Sequence, residues 1–274
     1  MCIRDRGTPI AGDTLDFDGD TRSATAPDIG CDEWQYPGDP LSGVYTVGGS
    51  FADFDDIAAA VNACQLRGFA GDVRFDIYSQ TYSGTFNLEG IGNGDNHLWW
   101  RVVPGEEVTI NAGGTYGIRL YNNQRIRIEG FKVTGYTSYG FWGNSYYTNS
   151  NTTDSCALVG NTFEGTSTYG IYWYYGDDDS VVNNTIKGHN YGIYFYGYSS
   201  PRSTGNVIAG NMVSGYASYG MYIRYQDGMK FYYNSVHGSG SYPYYTYYMT
   251  SPVSYTHLRA HETVLDLVCR LLLE

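Results

Sequence analysis

A Tyr-Gly pair opens five short apolar segments: YGIRLY from Tyr116, YGFWGN from Tyr139, YGIYWY from Tyr169, YGIYFY from Tyr191 and YGMYIR from Tyr219. Successive starts lie 23, 30, 22 and 28 residues apart. Each is followed by a second segment: IEGFKVTG, LVGNTFEG, VVNNTIKG, IAGNMVSG and FYYNSVHG, ending at Gly135, Gly165, Gly188, Gly215 and Gly238. Short alternating segments of this kind cannot bury an apolar face singly, and they do so by stacking on their neighbours. With glycine turns and insertions of a few residues between them, they predict the rungs of a parallel β-solenoid.

Period-two alternation then separates inside from outside. In the first segment Ile118, Phe141, Ile171, Ile193 and Met221 form one inward column, and Leu120, Gly143, Trp173, Phe195 and Ile223 the next. In the second segment the inward columns are Ile128, Leu158, Val181, Ile208 and Phe231, then Val133, Phe163, Ile186, Val213 and Val236. Between these, on the same face, stand Phe131, Asn161, Asn184, Asn211 and Asn234. A buried amide must be hydrogen-bonded, and amides stacked at the strand spacing of about 4.8 Å satisfy one another along the axis. Such an asparagine ladder resembles that of the right-handed parallel β-helix, the pectin-lyase-like fold. The expected class is therefore all-β, a right-handed parallel β-helix with an N-terminal capping helix. That helix is SFADFDDIAAAVNACQLRG, Ser50 to Gly68, with Phe54, Ile57, Ala58, Val61 and Cys64 on one side and Gly68 as its stop.

The stretches GDVRFDIYSQTYSGTFNL and LWWRVVPGEEVTINAGG read as first, irregular rungs. The order YTVGGS, helix, RGFAGDVRFDIYSQTYSG is similar to the opening of secreted bacterial β-helix repeat domains. LDFDGDTRSATAPDIGCDEW, Leu15 to Trp34, is similar to the closing signature of bacterial surface β-helix proteins of the choice-of-anchor type, with Cys31 where that pattern has Ala. This resemblance implies that 7–37 ends a preceding module, that 38–48 is a linker, and that 49–251 is a second β-helix. MCIRDR (1–6) and the segment from Pro252 (252–274) resemble translated adapter sequence from metagenomic assemblies and are expected to lie outside the natural chain. The tail also has the pattern of an amphipathic helix, with Leu258, Leu265, Val268 and Leu272 at helical spacing.

Charge narrows the partners. With 16 Lys+Arg against 28 Asp+Glu, the chain lacks the basic stripe that nucleic acid demands. No run of 18 apolar residues spans a membrane, and MCIRDRGTPI lacks the apolar region of a signal peptide. The natural cysteines are Cys31, Cys64 and Cys156, without metal-ligand spacing; buried thiols or one disulfide both satisfy them. His257 and His261 with Glu262 have a zinc-like spacing but lack a third convincing ligand. Asp16, Asp18 and Asp20 alternate as in a calcium loop, yet Pro27 stands where the closing Glu belongs, which favours a structural turn. Asp177, Asp178 and Asp179 read as a solvated loop, with calcium or a bridge to a uronate as the weaker candidate. No cofactor is expected beyond that.

The outward positions carry the functional question. One column holds Arg119, Trp142, Tyr172, Tyr194 and Tyr222; the next holds Tyr121, Asn144, Tyr174, Tyr196 and Arg224. The resemblance implies, for lyases of the fold, calcium-binding acids with an Arg or Lys base, and for hydrolases two or three Asp with a His. Neither column is acidic, and His189 and His237 have no carboxylate column beside them, so no catalytic constellation is found. Stacked tyrosines support a sheet, at about 0.2–1 kcal/mol per cross-strand pair, or they form a strip that suits sugar rings. The expectation is an extracellular, cell-surface module that binds glycans or mediates adhesion through Arg119, Trp142, Tyr172, Tyr174, Tyr194, Tyr196, Tyr222 and Arg224, the arginines selecting acidic sugars. A fragment of a polysaccharide lyase or glycoside hydrolase is the alternative, and a structural stalk the third reading.

Overall fold

The structure, a computed structural model, describes residues 38–89, 91–144, 154–251, 253–255 and 259–261. The DFDGD motif with Asp16, Asp18 and Asp20, Cys31, His257 and Glu262 lie outside them. Two compact units are distinguished, Met1–Asp39 and Pro40–Glu274. The second is a parallel β-solenoid of about eight turns. Each regular rung lays one strand in each of three sheets, as in Tyr169–Tyr174, Ser180–Val182 and Thr185–Lys187. The next rung repeats the course with Tyr191–Tyr196, Val207–Ala209 and Met212–Ser214. Each strand pairs in parallel with its counterpart, Tyr172 opposite Tyr194, Val181 opposite Ile208 and Ile186 opposite Val213.

The core is the stack of inward columns. Ile171, Ile193, Met221, Val181, Ile208, Ile186 and Val213 are fully buried. Close packing sets the small residues too. A Cβ on Gly170 would lie 2.3 Å from Ile186 Cγ2 and 2.7 Å from Gly192 O. Gly192 meets Val213 Cγ1, and Gly220 meets Val236 Cγ1, at the same 2.3 Å. The second residue of each Tyr-Gly strand is glycine because the third sheet presses against it there. Gly143 is small for another reason: a Cβ there would lie 2.8 Å from Phe141 and 3.4 Å from Trp173, the largest inward side chain of the next rung.

The corners are polar and closed by hydrogen bonds. Between the second and third sheets the Asn161 N–H donates to Asn184 Oδ1 at 2.9 Å, the Asn184 N–H to Asn211 Oδ1 at 2.9 Å, and the Asn211 N–H to Asn234 Oδ1 at 3.0 Å. Each Nδ2 also donates to a carbonyl of the preceding rung, Asn161 to Ile128 at 2.9 Å and Asn184 to Leu158 at 3.0 Å. Phe131 begins this column without an amide, its N–H donating to Asn161 Oδ1 at 3.0 Å. Between the Tyr-Gly sheet and the second sheet lies a mixed column. There the Cys156 N–H donates to Asp179 Oδ1 at 2.9 Å, the Asp179 N–H to Asn206 Oδ1 at 2.8 Å, and Asn206 Nδ2 to Gly176 O at 2.9 Å.

The third corner holds Tyr136, Ser167 and His189. The Ser167 hydroxyl donates to Tyr169 O at 3.2 Å and lies 3.1 Å from His189 Nδ1, while His189 Nε2 lies 3.1 Å from the Tyr136 hydroxyl and 3.4 Å from Phe163 O. Burial lowers the His189 pKa and keeps the ring neutral.

Three boundaries differ from the sequence reading. The helix spans Ile57–Arg67; Asp56 caps it by accepting the Ala59 N–H at 2.7 Å, and its buried face is Ile57, Ala60 and Cys64. Ala58 is exposed, because helical spacing from Ile57 and Cys64 selects Ala60. Within the stretch read as a linker, Leu41–Val47 forms a strand paired with Phe69–Ile77, since Leu41 and Val47 have a core to enter. Beyond Thr250, Val253–Tyr255 pairs with Lys230–Tyr232 and Arg259–His261 with Ser235–His237. The last rung's open edges hydrogen-bond the chain that follows, and these residues, read as lying outside the solenoid, extend it.

Candidate functional site: a tyrosine face

The outward face of the Tyr-Gly sheet is three columns wide. The column over the strand starts runs Tyr116, Tyr139, Tyr169, Tyr191, Tyr219 and Tyr242, with ring centroids 5.0–5.4 Å apart. The middle column runs Arg119, Trp142, Tyr172, Tyr194, Tyr222 and Tyr245 in register. The last contains Tyr174, Tyr196, Arg224 and Tyr247. Trp142, Tyr172, Tyr174, Tyr194, Tyr196 and Tyr222, the outward aromatic residues singled out from the sequence, lie on this face. The strand-start column was missed, because its tyrosines precede a buried glycine and so fall outside the period-two alternation.

Ring orientation decides what the face offers. Tyr172 and Tyr194 stack at 5.1 Å with planes 8° apart, and Tyr194 and Tyr222 at 4.7 Å with planes 4° apart. Rings stacked this closely along the axis cover one another's faces. They present edges and hydroxyl tips outward. Strand-start rings meet the middle column edge to face, Tyr191 with Tyr194 at 87° and Tyr219 with Tyr222 at 88°. Burial, then neighbouring phenols, raises the pKa values of Tyr172, Tyr194 and Tyr169; burial also raises that of Tyr196, against the Arg224 charge. The hydroxyls therefore stay protonated at neutral pH, each able to donate and accept.

The strip also turns a corner. Tyr175, Tyr225 and Tyr248 have φ of 59°, 57° and 51°, the left-handed region, where Asn122 stands at 52° in an earlier rung. A bulky residue there costs about 1–2 kcal/mol. Tyr225 and Tyr248 stack at 5.2 Å, and the Tyr174 and Tyr175 hydroxyls meet at 2.7 Å.

The arginines differ. Arg119 Nη1 pairs with Glu89 Oε2 at 2.8 Å while its guanidinium lies 4.8 Å from the Trp142 ring. Arg224 Nη2 donates to the Tyr225 hydroxyl at 2.7 Å.

The three aspartates do not form one solvated loop. Asp178 is exposed, but Asp177 is half-buried and accepts the Thr204 N–H at 2.6 Å, and Asp179 is fully buried at the mixed corner. Corner register puts Asp179 in the ladder position of Asn206. Burial, with added repulsion from Asp154 and Asp177, holds its carboxyl well above the usual range. Burial likewise raises Asp154 to about 6. Among the described residues no group of three or more His, Cys, Asp or Glu could hold a metal ion. Cys64 and Cys156 are buried free thiols.

A family model described as periplasmic copper-binding protein (NosD) matches residues 88–251. No curated protein matches the chain. Among solved structures, pectate lyase Pel9A is similar at 14% identity and a TM-score of 0.49, covering 75% of this chain and 56% of its own. A rhamnogalacturonan lyase is similar at 13% and 0.45, covering 78% and 66%. The pectin methylesterase of Aspergillus niger is similar at 14% and 0.38, covering 80% and 92%. The chain thus spans less than two thirds of the length of either lyase. Among the described residues no helix is long and apolar enough to cross a membrane.

Proposed function

Because the chain belongs to the NosD family, described as periplasmic copper-binding proteins, we propose that it works outside the cytoplasm as a surface that binds an extended, polyhydroxylated chain along its tyrosine face. The copper of that description finds no group of three or more His, Cys, Asp or Glu that could hold it among the described residues. Copper takes imidazole, thiolate or thioether ligands. Both His189 ring nitrogens are hydrogen-bonded, burial raises the Cys64 thiol to about 12, and Cys156 Sγ donates to the carbonyls of Asp154 and Asn123. No step is therefore routed through copper.

The observation that carries the reading is the use of tyrosine at the left-handed corners. Asparagine or glycine is the economical residue there, and Asn122 occupies one such place. Tyr175, Tyr225 and Tyr248 carry the strain and continue the phenol face around the edge of the sheet. Ring stacking, as between Tyr225 and Tyr248 at 5.2 Å, returns about 0.2–1 kcal/mol per pair and offsets only part of that strain. The protonated hydroxyls recur at close to one sugar residue per rung, about 4.8 Å, so a glycan lying along the axis meets a donor and an acceptor at each step. Affinity on such an open surface is modest, since immobilising the ligand offsets most of the contact energy.

The test is a glycan array followed by titration calorimetry on the wild type and on a Tyr172→Phe, Tyr194→Phe, Tyr222→Phe triple variant. Phenylalanine keeps the stack and removes only the hydroxyls. Weaker binding at an unchanged melting temperature supports the reading; undiminished binding by the variant places the site elsewhere.

A further inference from the structure

We propose that Arg224 is an anion subsite near one end of the tyrosine face, taking the carboxylate or sulfate group of an acidic sugar residue; this rests on the glycan reading and names the class of ligand. Arg224 occupies a column place held by tyrosine on both sides, Tyr196 in the preceding rung and Tyr247 in the following one. Its guanidinium carbon lies 4.5 Å from the Tyr225 ring centroid, 5.0 Å from Tyr247, 5.5 Å from Tyr196 and 5.8 Å from Tyr248. Rings on several sides hold the planar group in one orientation and strip water from its faces.

What the cage lacks is an acid. Among the described residues no carboxylate pairs with Arg224, and its Nε, like that of Arg119, is covered with no acceptor. The group that takes Nη2, on Tyr225, is a phenol rather than a carboxylate. This is notable in a chain with a net charge of -12. The other arginine of the face shows the alternative solution, since Glu89 neutralises Arg119 at 2.8 Å. The two ends of the strip are therefore chemically unlike, one closed by an internal ion pair and the other an oriented cation whose partner must come from a ligand. A guanidinium matches planar carboxylates and sulfate oxygens through charge-assisted hydrogen bonds. The anionic residue of a glycan seats at Arg224, on the rung of Tyr222, and its neutral residues continue along the axis over the rungs of Tyr194 and Tyr172.

The experiment compares an oligosaccharide of 1,4-linked uronic acids, its carboxyl-reduced counterpart and a sulfated neutral oligosaccharide by calorimetry at low salt. The wild type is expected to bind the uronic acid chain about tenfold tighter than the reduced one. Arg224→Gln should abolish that preference, Arg224→Lys should recover part of it, and Lys187→Ala, exposed on another sheet, should leave it intact. The sulfated arm tells which oxyanion is favoured. A preference that persists in Arg224→Gln, or that the wild type lacks, overturns the proposal. If no oligosaccharide binds, the glycan reading fails, and the subsite is then read by titrating sodium sulfate and sodium glucuronate against the near-ultraviolet dichroism of the tyrosines. A change dependent on Arg224 sustains the anion subsite, and its absence overturns it.

Discussion

Asp179 stands in the ladder directly beneath Asn206, accepting the Cys156 N–H through Oδ1 at 2.9 Å while its own N–H donates to Asn206 Oδ1 at 2.8 Å. Asn206 uses its second terminal atom, Nδ2, to donate to Gly176 O and Gln226 Oε1. Asp179 has Oδ2 there, fully covered and without a hydrogen bond, although the Trp173 indole lies beside it. A carboxylate at a donor's place is tolerated by keeping its proton.

Asp179→Asn is accordingly expected to stabilise the solenoid at neutral pH by roughly 1–3 kcal/mol, the cost of an unsatisfied buried group. The Asp179 pKa is raised above its ordinary value of 3.8, so the wild type has its full stability below that value and loses it as pH rises through the folded value. Asp154, raised to about 6, adds a loss in the same direction. Urea midpoints taken from pH 4 to 8 should fall for the wild type and stay flatter for Asp179→Asn. A variant less stable than the wild type at pH 7 would contradict the assignment.

Asn184→Leu removes the acceptor of the Asn161 N–H and the donor to Leu158 O and Asn211 Oδ1. Several buried groups lose partners at once, each costing about 1–3 kcal/mol. The unfolding midpoint should drop well below that of an exposed control such as Lys187→Ala, and equal midpoints would show that the ladder contributes nothing.

Gly170→Ala tests the press of the third sheet on the strand. Its Cβ would meet Ile186 Cγ2 at 2.3 Å and a backbone oxygen at 2.7 Å. Overpacking of this kind costs about 1–3 kcal/mol or more. Gly113→Ala is the comparison, at φ +61° with open space around it, where only backbone strain of about 1 kcal/mol is expected. Thermal melting of both variants should rank them in that order.

The phenol stack predicts a steep alkaline limit. Folded tyrosines such as Tyr172 and Tyr194 have pKa values raised above the ordinary 10. Stability is complete below that value and is lost as pH rises above it toward the folded values. Ultraviolet titration should show phenolate appearing late and together with loss of β-sheet dichroism. Smooth ionisation near pH 10 in a fully folded chain would mean that the rings are solvated singly.

The rungs and the asparagine corner were legible because they recur as letters: one residue type, Asn161 to Asn234, falls at a fixed offset from a glycine. The mixed corner has the same hydrogen-bond logic but was invisible, since Cys156, Asp179 and Asn206 share no letter. This is also why Asp179 read as a surface charge. Ring orientation depends on side-chain torsions that alternation does not encode, so edges rather than faces outward could not be foreseen. The Arg119–Glu89 pair joins irregular and regular rungs across 30 positions of sequence and follows only from register.

The glycine beneath each tyrosine strand and the ladders at the corners make every rung a unit cell that contacts only the cells above and below. Removing one whole cell, or copying it, brings like surfaces together: a valine or isoleucine still meets a glycine, and an amide still meets an amide. Length is thus free to vary without redesign of the core. A tyrosine face built this way is ruled like a measuring scale, and its length is set by how many cells the chain contains.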